Sequence, residues 1–420
     1  ADKAFTKARV RDQYIHRFKI HFPNEERSAG RPARTRPIFE TQRAMGAVFG
    51  LKAGWEHALW FADSPDPEET VGFARQNWFE PVGREAAMLR EAVGIIDISN
   101  FGKYEIAGPG ARDWLDRLVA NHVPREVGRS CLTPLIGMRG GVAGDFTITM
   151  TGDDSYMMIG SGMAERYHRR FFDMVPLPDG TGFEVATPRI AGFNVAGPRS
   201  REMLAGLTDA DLSNEGWRFM RSRRIAVGGV DCLAIRVSFT GDLGWELHCA
   251  VDDQVALYEI LLEAAAAHGG GPVGGRALGA LRIEKGYGSW GREYSPEYWP
   301  QEAGLHRLIK LDKEFLNKEA YLKISNTPPR ESLTMFEVDA SDNADANGGE
   351  PIFLADGTPV GRVTSGSYGY TVGKSLAIGY AREGVVSAGD RVEIFILGKP
   401  HAATVLDKPP FDAGGERLRA

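Results

Sequence analysis

The sequence predicts an α+β chain of more than one domain that closes on a small all-β barrel. Three observations predict it. A chain of 420 residues is too long for one small core. Between about residues 86 and 328, strand-like and helix-like patterns alternate. From Ser332 on, the helical periodicity gives way to short apolar segments punctuated by glycine turns. The expected division is residues 1–85, 86–328 and 329–420, with the last boundary near Thr327 to Arg330.

Residues 1–85 are rich in aromatics, and glycines and prolines are read as interrupting helices throughout. Loops and short strands packed on something larger are the expectation. PVGREAAMLREAVGIIDIS then reads as an amphipathic helix running into an apolar strand, with Leu89, Ala92, Val93 and Ile96 at helical spacing. KYEIAGPGARDWLDRLVA is a strand, a Gly-Pro-Gly turn and a helix with Trp114, Leu115 and Leu118 on one face. GVAGDFTITM and SYMMIGSG pair across the Thr151–Asp154 turn, and ERYHRRFFDMVP is a helix. FNVAGPRSREMLAGL repeats the strand, Gly-Pro, helix order, an echo that points to two similarly built subdomains. VDCLAIRVSFTGDLGWELHCAV gives two strands and QVALYEILLEAAAAHG a helix. LTMFEVD, GEPIFL, PVGRVTSGSYG, KSLAIGYA and DRVEIFI supply the terminal barrel.

Composition narrows the function. Hydrophobic residues at 43% and charged residues at 25% are ordinary for a globular protein. The balance of 50 basic to 56 acidic residues, net -6, argues against a general nucleic-acid binder. Cys131, Cys232 and Cys249 have no CxxC spacing, which implies a reducing compartment. No run approaches the roughly eighteen apolar residues of a membrane span. The charged N-terminus lacks an apolar signal core, so a cytoplasmic location is the expectation.

Some motifs mislead. Gly269–Gly274 satisfies GxGxxG, but an alanine-rich helix precedes it where a dinucleotide fingerprint needs a strand. It reads as a helix C-cap and loop, and no flavin site is found elsewhere. His16, His21, His168 and His248 lack metal-ligand spacing, so no metal is expected. The basic run at 218–225 reads as a solvated face ahead of a strand.

Three segments carry more. Met138–Thr149 delivers Asp145 to the start of a strand from a glycine-dense turn, where backbone can approach a ligand closely. A turn aspartate bonding its own backbone fits the same residues. In SFTGDLGWEL, Trp245 and Glu246 alternate on a strand. A carboxylate beside an aromatic suits a pterin-like ring, whose amidine edge donates two parallel hydrogen bonds; a surface glutamate on an edge strand is the plain alternative. In LRIEKGYG, Arg282, Glu284 and Lys285 crowd charge at a helix end which, taken alone, is a solvated cap.

Together these segments resemble the glycine-cleavage aminomethyltransferase superfamily. DISNFGKYEIAGPGA is similar to its opening strand, RGGVAGDFTIT to its GG-x-x-D-D turn and SFTGDLGWEL to its GYTGE-x-G-x-E strand. LRIEKGYG is similar to LRLEAGL, PQEAGL to its proline-acid loop and PVGRVTSG to its barrel strand. The matches keep the family's order from about Pro81 to Phe411. The N-terminal stretch resembles the connecting segment of dimethylglycine and sarcosine dehydrogenase-like proteins, in which a flavin domain comes first.

The resemblance implies a multi-domain folate-binding fold that uses tetrahydrofolate. Asp145 falls on the catalytic aspartate and Glu246 on the pterin-gripping glutamate, with Trp245, Arg282 and Tyr287 as further binding residues. Leu132–Gly137 lacks the family's tyrosine and asparagine, and Leu278 stands at an arginine position, which match the dehydrogenase-type relatives. The implied activity is capture of a one-carbon unit from an N-methyl amine as 5,10-methylenetetrahydrofolate. Direct methyl transfer giving 5-methyltetrahydrofolate is one alternative. The other is a folate-binding subunit without chemistry, docked on a flavin-dependent dehydrogenase through Trp55, Trp60, Phe61 and Trp78, although the same aromatics equally suit folding onto the folate domains.

Overall fold

A computed structural model describes residues 3–64 and 67–420. Two antiparallel-rich sheets form the centre. One has five strands, in the order Ser130–Ile136, Val142–Gly152, Ser155–Gly160, Gly102–Ala107 and Gly182–Val185. The other has six, in the order Ser222–Val227, Val230–Ile235, Gly244–Ala250, Ile190–Ala196, Gly94–Asp97 and Gly271–Val273. Each sheet buries its outer face under its own helices. Tyr104, Ile106, Trp114, Leu115, Leu118, Phe146 and Phe172 fill one core. Phe193, Val195, Trp245, Leu247, Tyr258 and Leu261 fill the other. The two inner faces meet at Met157, Ile159, Ile190, Leu233 and Ile235.

The expected echo of two α+β units is therefore physical. In each, a strand, a Gly-Pro turn and a helix return the chain over its own sheet, because the helix's apolar stripe has only that face on which to bury.

The glycine-rich stretch at 269–274 departs from a simple loop. Gly269 caps the Gln254–Ala267 helix with φ +76°, as the C-cap reading requires. The next residues, Gly271–Val273, then pair in parallel with Gly94–Ile96. Three residues are too few for a periodic signal, so only the packing reveals this edge strand.

The N-terminal reading needs one correction and settles one open alternative. Lys3–Ile15 is a helix with no buried residue, where loops and short strands were expected. No glycine or proline falls within those thirteen residues, so helix propensity is undisturbed. Second, the hairpin of Ala47–Lys52 and Trp55–Phe61 packs into the body. Leu59 and Trp60 share a cluster with Val82, Leu89, Ile96, Ala277 and Leu281. Trp60 is only 2% exposed, and Trp55 is covered by the guanidinium groups of Arg34 and Arg36, 3.7 and 4.0 Å from its ring centre. The aromatics expected to mark a docking face are thus mostly spent inside. Val10, Tyr14, Ile15, Phe18 and Ile20 are among the exposed apolar side chains, with Phe18 94% exposed.

The C-terminal barrel is closed, with strands ordered Glu331–Val338, Lys374–Arg382, Pro359–Gly369, Pro351–Phe353, Arg391–Ile396 and Lys399–Leu406. Closure leaves no free edge. The Gly275–Glu284 helix seats on it through Ile283, Leu376 and Ile378.

Candidate active site at the seam between the sheets

Strand registers determine where the predicted carboxylates point. Thr147 pairs with Ile159 and Thr149 with Met157, so Asp145, two residues before Thr147, shares their face. That face meets the second sheet. Across the seam, Ile235 pairs with Glu246 and Leu233 with His248, so Glu246 also faces inward. Asp145 and Glu246 therefore project from opposing layers towards one seam, although they are far apart in sequence.

The glycine turn serves this placement. Gly140 has φ +87°, a region that disfavours side chains, and Gly137 and Gly141 bond across the turn at 2.8 Å. A side chain at Gly144 would come within 2.9 Å of His168 Nε2 and of Phe146. His168 is itself wedged between Phe146 and Trp290, and burial lowers its pKa to about 4, so it stays neutral. Glycine at 144 thus lets the strand lie flat on this wall and hold Asp145 forward. Burial raises the Asp145 carboxyl to about 6. Tyr294 lies close enough that burial and the Asp145 charge both push its phenol above the ordinary range.

Glu246 sits in the third strand of six, not on an edge. Its side chain is 18% exposed, and its one ion-pair contact among the described residues is His248 at 3.5 Å. Burial lowers the His248 pKa, which favours a neutral ring. Asn194 pairs with Glu246 in the register; its amide donates to the Val237 and Trp245 carbonyls while Ser238 donates to its oxygen. Lys103 is another inward residue, paired with Ile159. Its ammonium donates to the carbonyls of Ile98, Ser99 and Phe101 at 3.1–3.3 Å. Burial and then the Arg36 charge lower it to about 7.

Trp245 is corrected. Alternation turns it to the opposite face from Glu246, fully buried against Trp217. It cannot share a ligand with that carboxylate. Phe239 and Tyr287 instead stack with ring centres 5.7 Å apart.

Arg282 acts as a clamp. It donates to the Tyr287 carbonyl and to Glu293, both at 2.9 Å, and to Ser365 of the barrel at 2.7 Å. The charge at the end of this helix is not a solvated cap. Glu284 accepts from Arg90 at 2.9 Å and from the Thr371 amide and hydroxyl at 2.7 and 2.6 Å. Arg90 also donates to Asp242 at 2.6 Å, and Arg417 binds the other Asp242 oxygen at 2.6 Å. Lys285 pairs with Asp412 at 2.7 Å. These ions lock the barrel and the C-terminal segment to the sheet domain.

Sequence reading missed Lys103, Asn194, His248, Phe239 and Tyr294. The first three sit on strands where one polar residue among apolar ones was the available signal. Tyr294 carries none, because its role depends on a loop folding back to Asp145. Among the described residues, no group of three or more His, Cys, Asp or Glu is placed to hold a metal, and no helix is long and apolar enough to cross a membrane.

Comparison with known proteins decides the family. The GCVT N-terminal domain model matches residues 38–313, and the glycine cleavage T-protein C-terminal barrel domain model matches 332–412. The chain belongs to the glycine cleavage T-protein family. Relatives that share these domains include aminomethyltransferases and dimethylglycine dehydrogenases.

This T-protein chain is 35% identical over 411 residues to mitochondrial dimethylglycine dehydrogenase of Mus musculus, covering 96% of this chain and 47% of that protein. It is 31% identical to the formaldehyde-forming 4-methylaminobutanoate oxidase of Paenarthrobacter nicotinovorans, covering 100% of this chain and 51% of that one. An aminomethyltransferase of Desulforamulus reducens is 29% identical over 79% of this chain and 92% of its own length. The chain thus spans about half the length of the oxidising relatives and most of the aminomethyltransferase. Aminomethyltransferase T from Bartonella henselae shares the fold, with a TM-score of 0.78 at 22% identity over 91% of this chain and 99% of that one. Residues 1–35 match the FAD dependent oxidoreductase central domain model.

Proposed function

We propose that the T-protein module binds tetrahydrofolate at the seam and captures a formaldehyde-level carbon, as an iminium or formaldehyde. That carbon remains once a flavin-dependent dehydrogenase has taken two electrons from an N-methyl amine of the dimethylglycine or sarcosine type. The two amine nitrogens of the folate bond to it, the donor amine leaves, and 5,10-methylenetetrahydrofolate results. One observation carries this reading. Asp145 and Glu246 face a common seam, largely covered, and among the described residues neither is paired with an arginine or a lysine, Glu246 reaching only His248. The neighbouring buried carboxylates Asp242, Glu284, Glu293 and Glu302 are all engaged by arginine. Buried charge without a partner is costly unless a ligand uses it.

The residues fit the ligand. Glu246 has two acceptor oxygens uncommitted to backbone or arginine, matching the two parallel donors of a pterin amidine edge. Tetrahydrofolate, when bound, supplies the amine that accepts the carbon. Asp145, lifted to about 6, is tuned to remove a proton from that amine near neutrality. Inward-facing Met157, Ile159, Leu233 and Ile235 exclude water around the reacting groups. The relatives' names support N-methyl amines as donors.

Calorimetric titration with tetrahydrofolate tests the site. Saturable binding weakened at least tenfold in Glu246→Ala is expected, and equal affinity of the two proteins would refute the assignment. Mass spectrometry of the folate product tests the transfer, since 5-methyltetrahydrofolate would replace the methylene reading.

A flavin-containing portion as partner is a second reading, supported by the 1–35 match together with the exposed Val10, Tyr14, Ile15, Phe18 and Ile20 surface. Clustered exposed apolar side chains of this kind mark an interaction surface.

A further inference from the structure

Away from the seam lies a cavity of about 570 Å³. It is bounded by residues 21–26, the hairpin end at Lys52, the Gly275–Glu284 helix and barrel residues 345–348 and 365–368. Its lining carries five cations, Lys52, Arg75, Arg276, Arg282 and Arg292. Three are neutralised within the protein. Arg75 binds Asp345 through two bonds of 2.7 Å, Arg276 pairs with Glu69, and Arg282 binds Glu293.

The other two are not. Among the described residues, neither Lys52 nor Arg292 has a carboxylate within ion-pair distance, and both are solvent-accessible. Arg292 reaches only the carbonyls of Asn347 and Thr364, at 3.0 and 3.4 Å. The carboxylate that acts on Lys52 is Glu26, which already accepts from the Leu51 amide at 3.2 Å and leans on Arg31 at 3.9 Å. Although its surface is partly open to solvent, enclosure by the cavity walls lowers the Lys52 ammonium below its ordinary range; Glu26 opposes this, and the charges of Arg292, Arg276 and Arg282 add to it. Two like charges are thus held in one concave space with more guanidinium groups behind them. The first turn of the Gly275–Glu284 helix, whose dipole favours anions, lines the same space.

We infer that this cavity is a second binding site, for a carboxylate-bearing ligand, with Lys52 and Arg292 supplying its two uncommitted charges. Guanidinium and ammonium groups with free donors bind carboxylates by charge-assisted hydrogen bonds. The site straddles a junction, since residues 21–26 lie in the stretch matching a flavin oxidoreductase domain and the helix lies in the T-protein domain. Two sources carry the required chemistry: the carboxylate of an N-methyl amino acid donor, or a glutamate tail on folate. Naming those sources rests on the one-carbon reading above; the anion site does not.

The test uses the whole chain and two probes, N,N-dimethylglycine and a pterin-free γ-linked triglutamate. Each is titrated calorimetrically into wild type, Lys52→Gln, Arg292→Gln and the double variant, with thermal melts confirming the fold. Saturable binding of either probe, weakened about tenfold or more in the double variant, is expected, and the probe that binds identifies the source. Absence of saturable binding by both probes overturns the inference, as does binding indifferent to the double substitution. Tetrahydrofolate is titrated in parallel. Folate binding without probe binding sinks only this second site, whereas probe binding without folate binding sinks the proposed function and leaves the anion site standing.

Discussion

Replacing Asp145 with asparagine separates its chemistry from its packing. The two side chains are nearly the same size, so the strand and the glycine turn are kept while the ionisable group is lost. The wild-type carboxyl is lifted from 3.8 to about 6 by burial, which corresponds to an ionisation penalty of about 3 kcal/mol in the folded state. The sign follows from proton linkage. A carboxyl that keeps its proton to a higher pH when folded stabilises the fold fully below its unfolded value, and that contribution is lost as the pH rises through the folded value. Asp145→Asn does not titrate. Chemical denaturation of both proteins should show the variant gaining on wild type between about pH 4 and 7, by up to about 3 kcal/mol, and level thereafter. The same carboxylate is the proposed base, so wild-type kcat/KM should rise with pH through about 6 and then flatten. The variant should lose about 10²- to 10⁴-fold in turnover while retaining tetrahydrofolate binding. Full turnover in Asp145→Asn, or a stability difference that does not change across that pH range, would refute the reasoning.

Other substitutions test other parts of the structure. Trp245→Ala should cost about 3–5 kcal/mol of stability, as for an aromatic truncated in a core; a folded variant of unchanged stability that loses only folate affinity would put Trp245 back in the site. Glu284→Ala removes a partner of Arg90 between the sheet domain and the barrel and should destabilise by about 3–5 kcal/mol, read from the denaturation midpoint, and an unchanged midpoint would show that the ion network carries little. Paired Tyr14→Ser and Phe18→Ser should leave the melting temperature of the chain unaltered, because both are exposed. The pair should nevertheless abolish any co-purification with a flavin-containing partner, and retained association would remove this surface from consideration.

The sequence by itself determined the local elements, because their causes are local. The Gly-Pro turns after two strands and the glycine punctuation after Ser332 each act within a few residues, and the structure has turn and barrel strand at those places. The helical spacing read over Leu89 to Ile96 holds only at Leu89, because the helix ends at Glu91 and Gly94–Asp97 is a strand. Asp145 and Glu246 were also legible, as single carboxylates set in glycine-flanked strands. Their shared direction was not. It depends on the registers Thr147–Ile159 and Ile235–Glu246 and on two sheets meeting through Met157 and Leu233. The same pleat sent Trp245 into the core, because neighbours on a strand point apart. Charge at the end of LRIEKGYG looked solvated in one dimension. Only the approach of Arg90, Thr371 and Asp412, from distant parts of the chain, made it a buried lock. Pairing between residues far apart in sequence leaves no periodic trace, so the composition of the site could be read from the chain, while its geometry was decided by the packing of one sheet on the other.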